Sequence, residues 1–232
     1  MFTNYKIFLQ KFIFKNYKFV QFSKNINPYS ELILRHDIDF DVDLAYKMSI
    51  IEDELNIKST YFFLLRSEFY NILEKTNFEK IQSIKDRGHK ISIHFDPSIY
   101  ENIDLGFSFE KNIFEKLFNI HIEIISLHRP SKIFLNNNNL FNDCMHTYQP
   151  YFFNDIKYFA DSQGLFRFGS PLDSEEFSQN KTIHLLIHPI WWMTKDGTNV
   201  EKIEEFINSK NKNLKDEVAK NCIPYREQLN LI

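Results

Sequence analysis

The residues best suited to chemistry fall where short apolar runs end. Arg35, His36, Asp37 and Asp39 close the first run, His94 and Asp96 a later one, His128 and Arg129 another, and His188 the last. Carboxylates and imidazoles bind metal ions and exchange protons, imidazole near neutral pH. In Asp37-Ile38-Asp39 two carboxylates flank one residue, so a strand that unwinds there lets one bind a cation while the other takes a proton from water. Asp41 and Asp43 suit the first turn of a helix instead. His94, in GHKISIHFD, has a carboxylate nearby and suits zinc or a similar ion. His89, beside Gly88, belongs to the other end of the same run. Arg129, in SLHRPS, offers a two-pronged guanidinium to a carboxylate. His188, in LLIHPIWW, stands against Pro189, Trp191 and Trp192, an apolar wall that suits a general acid, and the indoles offer a stacking surface for a sugar ring.

Residues so far apart meet only if secondary structure converges them. The runs Glu31–Asp37, Ser59–Leu65, Lys90–Phe95, Ile122–His128 and Thr182–His188 have the length and the β-branched or aromatic content of buried strands. Between them Leu44, Met48, Ile51 and Leu55 recur at helical spacing after Asp41 or Asp43 as a cap, and Phe78, Ile81 and Ile84 lead to Gly88, a suitable helix stop. Ser108 is a candidate cap for a third helix through Phe109, Ile113, Phe114 and Leu117. This alternation predicts an α/β fold with a mostly parallel sheet, open or closed into a barrel, whose strand C-termini share one mouth.

Composition narrows the function. The 232 residues carry a net charge of −3, which gives no positive field for phosphate backbones, so no nucleic-acid partner is expected. With 25 Phe, 11 Tyr and 2 Trp the core is unusually aromatic. Cys144 and Cys222 fit neither a disulfide framework nor a metal motif and are read as packing residues of a cytoplasmic protein. The apolar N-terminus (Phe2, Ile7, Phe8, Leu9, Phe12) is broken by Lys6, Lys11 and Lys15, so no membrane span is expected. The motifs of serine hydrolases, P-loops, dinucleotide folds and H-E-x-x-H proteases are absent. Oligomeric state is not encoded in any recognisable pattern.

From roughly Glu31 to Met193 the sequence resembles the polysaccharide deacetylase family, the carbohydrate esterases of the NodB-homology type, and within it the short bacterial members associated with surface polysaccharides, through its HFD, HRP and HPxWW patterns. LRHDIDFD matches the first motif, STYFF the second-strand signature, GHKISIHFD the G-H-E-I-x-x-H segment, and HRPS, YFADSQGLFR and LLIHP the later motifs. The resemblance implies a distorted (β/α) barrel and a single catalytic domain over residues 1–232, with a core at about 31–193, a lead-in at 1–30 and a helical tail at 198–232. It implies Asp37 as base, Asp39 and His94 as ligands of a divalent ion with zinc the expected one, Arg129 orienting Asp37, and Asp161 beside a general acid, His188. Ser98 stands where the family has a second metal histidine. His128 is the preferred replacement ligand, with Asp96 the alternative. The implied activity is removal of an N-acyl group, acetyl above others, from an amino sugar or glycan. The rivals are a metal-free amidase acting on a small cyclic amide and a non-catalytic sugar-binding protein.

Overall fold

The alternating runs become strands and helices in the computed structural model, which describes residues 4–229; Phe2 of the apolar lead-in and the last three residues of the tail lie outside it. In chain order the elements are α1 (Tyr5–Phe14), β1 (Lys18–Val20), β2 (Glu31–Ile38), α2 (Val42–Glu54), β3 (Thr60–Phe63), α3 (Lys75–Asp86), β4 (Lys90–Phe95), α4 (Ile103–Phe118), β5 (Ile124–Leu127), β6 (Met145–His146), β7 (Lys157–Ala160), α5 (Glu175–Ser178), β8 (Ile183–Ile187), α6 (Pro189–Trp192), α7 (Asn199–Asn221) and α8 (Ile223–Leu229). The eight strands form one sheet, seven of them in the order β6-β5-β4-β3-β2-β8-β7 with β1 paired to β2 off this path, and the named strands pair in parallel. β1 pairs with residues 31–33 of β2, and β3 takes over the same edge from Arg35 onward. The sheet curls into a distorted (β/α) barrel, and no pairing among the described residues joins β6 to β7.

Alternation along the strands sorts their side chains. Leu32 and Leu34 of β2, with Ile183, Leu185 and Ile187 of β8, face outward to α1, α6 and α7. Tyr61, Phe63, Ile91, Ile93, Phe95, Ile125 and Leu127 pack outward against α2, α3 and α4. Inside, Ile33, Phe62 and Ile124 meet Phe22 and Phe152 in an apolar plug, leaving the polar inward positions nearer the C-terminal mouth.

Two expectations, on Ser108 and Cys222, are corrected. The lead-in contains α1, whose Tyr5, Phe8, Leu9 and Phe12 are buried in the outer core. Its lysines fall on the faces that this packing leaves exposed or half-buried. α4 begins earlier than Ser108, with Asn102 as the cap accepting from Leu105 N–H at 3.0 Å, so Ser108 lies within the helix. Cys144 is buried but Cys222 is exposed, so only the first is a packing residue. Asp41 does cap α2, and Gly88 does follow α3 with a φ of 88°. No helix among the described residues is long and apolar enough to cross a membrane.

Candidate active site

The C-terminal ends of β2, β4, β5 and β8 open into one cavity of about 590 Å³, lined by Asp37, Asp39, His94, His128 and His188 among others. His36, though it shares their stretch of sequence, points the other way, because successive strand residues alternate faces. Its Nε2 lies 2.7 Å from Glu52 Oε1 on α2. His89, as expected from its place at the start of β4, also meets Glu52, with Nδ1 at 3.4 Å.

Three side chains gather tightly at the mouth. His94 Nε2 is 3.1 Å and His128 Nδ1 3.5 Å from Asp39 Oδ1, and the two nitrogens are 3.0 Å apart. Zinc bonds of about 2.1 Å place tetrahedral ligands roughly 3.4 Å from one another, so these three atoms already stand close to the edges of such a site. Asp39 Oδ1 is buried without a hydrogen bond, and one carboxylate with two imidazoles is a donor set that suits zinc. Burial alone would raise the Asp39 carboxyl, but His128, His94 and His188 outweigh it and hold the group well below the usual carboxylate range. Asp96 does not join them. It accepts from Ser98 N–H at 2.9 Å and from Ser98 Oγ–H at 2.6 Å, capping the turn Pro97–Ile99. Ser98 thus engages the alternative ligand.

Asp37 lies beside this triad, buried. Its Oδ2 accepts from Ser126 Oγ–H at 2.8 Å and is 3.6 Å from Arg35 Nη2, while Oδ1 accepts no hydrogen bond. Arg35 is fully buried inside the barrel, where Tyr148 and Tyr158 hydroxyls accept from Nη2 at 3.2 Å each. Arg129, expected to orient Asp37, is instead exposed on the cavity wall and pairs with no acid among the described residues.

At the end of β8, His188 Nδ1 donates to Asp161 Oδ1 at 2.6 Å, leaving Nε2 toward the cavity, 3.8 Å from Asp39 Oδ2. Burial would lower the His188 pKa, but Asp161, with Asp39 and Asp37, pushes it up to about 9, so the ring carries its proton at neutral pH. Asp161 also accepts from the His188 backbone N–H at 3.0 and 3.1 Å and from Trp192 Nε1–H at 2.7 Å. The two tryptophans, expected as a sugar platform, therefore divide. Trp191 lines the cavity, whereas Trp192 packs among Tyr5 and Phe8 behind the site.

Sequence reasoning missed Arg35 and Ser126 as partners of Asp37. The signal was available in the period of two, because Arg35 shares a strand face with Asp37, and Ser126 with His128.

No family model and no curated protein matches the chain. Among solved structures it is similar to a peptidoglycan deacetylase of Bdellovibrio bacteriovorus, with 15% identity and a TM-score of 0.45 over 84% of this chain and 53% of that one. It is also similar to a mutant of a CE4 family pseudoenzyme with restored enzymatic activity, with 11% identity and a TM-score of 0.43 over 81% of this chain and 68% of that one. The chain thus spans about half the length of the first of these proteins, and the activities in their names belong to them.

Proposed function

We propose that this chain is a metal-dependent hydrolase of the polysaccharide deacetylase type, acting as one catalytic unit that removes an N-acyl group, acetyl above others, from an amino sugar of a surface polysaccharide or of an intermediate in its assembly. The decisive observation is the tetrahedral-like spacing of Asp39, His94 and His128 beside an ionisable pair of unlike character, Asp37 and His188. Asp39, His94 and His128 would hold a divalent ion. When bound, that ion supplies Lewis acidity, polarising the acyl oxygen and making a water more acidic.

The protein groups do the rest. Asp37 takes a proton from the attacking water through Oδ1, which accepts no hydrogen bond, while Ser126 and Arg35 fix Oδ2. Water oxygen then bonds to the acyl carbon. As the carbon–nitrogen bond breaks, His188 gives its Nε2 proton to the departing amine, and Asp161 holds the ring in the orientation and tautomer that aim this proton into the cavity. Trp191 forms part of the wall against which the sugar rests.

Metal analysis of the purified protein, followed by acetate release from a panel of N-acetyl amino sugars, tests this. About one ion per chain with acetate release is expected, and Asp37→Asn should keep the ion but lose turnover by on the order of a hundredfold or more. Turnover by metal-free protein would replace the proposal with a metal-free amidase. Bound metal with no release across the panel would leave a sugar-binding protein.

A further inference from the structure

Arg129 has no task in this scheme, because Arg35 takes the place beside Asp37. It follows His128 directly, is exposed on the cavity wall, and has a φ of 45°, a conformation that costs energy for a residue with a β-carbon. Arg66, in the loop after β3, lines the same cavity and is also exposed. Its guanidinium sits 5.4 Å over the Tyr100 ring, which restricts it without neutralising it. Neither arginine forms an ion pair among the described residues. Among the described residues no acid of the cavity is in ion-pair distance of either arginine: Asp37 and Asp39 belong to the cluster at the mouth, Asp96 accepts from Ser98, and the exposed Glu68 forms no ion pair.

Their placement follows from the sheet order. β4 lies between β3 and β5, so the loops bearing Arg66 and Arg129 flank the strand that carries His94, about 10 Å apart at the level of the strands. An anion held between them would lie close to an acyl group placed at Asp39, His94 and His128. We infer that Arg66 and Arg129 bind an oxyanion carried by the substrate, a phosphate or a carboxylate on the amino sugar itself. The position of the acyl group rests on the proposed hydrolase, whereas anion recognition does not.

The test is calorimetric binding of three probes to the protein as purified: N-acetylglucosamine, its 1-phosphate, and an N-acetylated aminohexuronate. At least one anionic sugar should bind about tenfold or more tightly than the neutral one, and which of them does so separates phosphate from carboxylate. In the double variant Arg66→Gln and Arg129→Gln that advantage should fall to within about threefold, with the neutral sugar unaffected. Both positions are exposed, and a melting curve matching the parent would confirm that the fold is kept. Equal binding of all three probes, binding of none, or an advantage that survives in the double variant would overturn the inference. Because no turnover is needed, failure of the hydrolase proposal leaves this result readable.

Discussion

Trp192 packs among aromatic side chains, yet its Nε1–H reaches the carboxylate that orients His188. Trp192→Phe keeps most of the apolar ring and deletes this donor, leaving Asp161 one hydrogen bond short in a buried setting. We expect kcat to fall about tenfold with bound metal unchanged, and steady-state kinetics beside metal analysis check it. A loss of metal would show that the change had spread to the triad. At this scale the sequence was readable as to place: the strand-end residues Asp37, Asp39, His94, His128 and His188 all line one cavity. It was unreadable where a role depends on which residue reaches first. The period of two puts Arg35 on the face of Asp37, but only the fold shows that this buried arginine, and not Arg129, stands beside the carboxylate. The opposite facing of His36 was implicit in strand alternation, but its partner Glu52 lies on a helix, and nothing in the spacing announces a fully buried carboxylate there.

Among the elements, β2, β3, β4, β5 and β8 follow the apolar runs, because buried parallel strands need continuous apolar stretches. β1, β6 and β7 have three, two and four residues and leave almost no such trace. α1 was masked by its lysines, yet its Tyr5 hydroxyl donates to the Glu52 carboxylate, which also accepts from Ser59 Oγ–H at 2.6 Å and Tyr61 O–H at 2.8 Å. Burial would raise this carboxyl, but His36 above all brings it down to about 2. Tyr5→Phe should therefore cost about 1.5–3 kcal/mol in denaturant unfolding, the worth of a hydrogen bond to a charged group, and a cost near zero would mean that α1 contributes no polar anchor. In α4 the sign of the effect reverses. Glu110 is buried beneath Tyr100, whose hydroxyl donates to it at 2.5 Å, and burial, helped by Asp96, pushes its carboxyl up to about 7 against the pull of Tyr100 and Arg66. Between its ordinary 4.5 and about 7 the folded protein keeps a proton that the unfolded chain releases, so this group's contribution falls as pH rises through that window, by about 3 kcal/mol. Glu110→Gln should flatten that part of the stability profile in urea melts between pH 5 and 8. An unchanged slope would assign it to other groups.

For the whole molecule, the candidate ligands come from different places in the chain: Asp39 just after β2, His94 in β4 and His128 just after β5. In the sheet these strands lie on one side of the barrel, and β3, between β2 and β4, supplies none of the three. An ion bound by all three would join segments that the unfolded chain holds far apart, so it would bind the folded state almost exclusively and raise its stability by mass action. At free zinc a hundredfold above Kd the gain is about 2.7 kcal/mol. For a protein of this size that corresponds to a rise in Tm of roughly 5–10 °C. Zinc titrations followed by thermal melting should show this rise in the parent and in Asp37→Asn, which alters a carboxylate beside the triad but not the triad itself. Asp39→Ala should lose it. The comparison is made as a difference on adding zinc, so any intrinsic effect of either substitution on the apo protein cancels. If Asp39→Ala gains as much as the parent, the ion is held elsewhere and the three-strand site is wrong; if Asp37→Asn also loses the rise, Asp37 belongs among the ligands and another group must serve as the base.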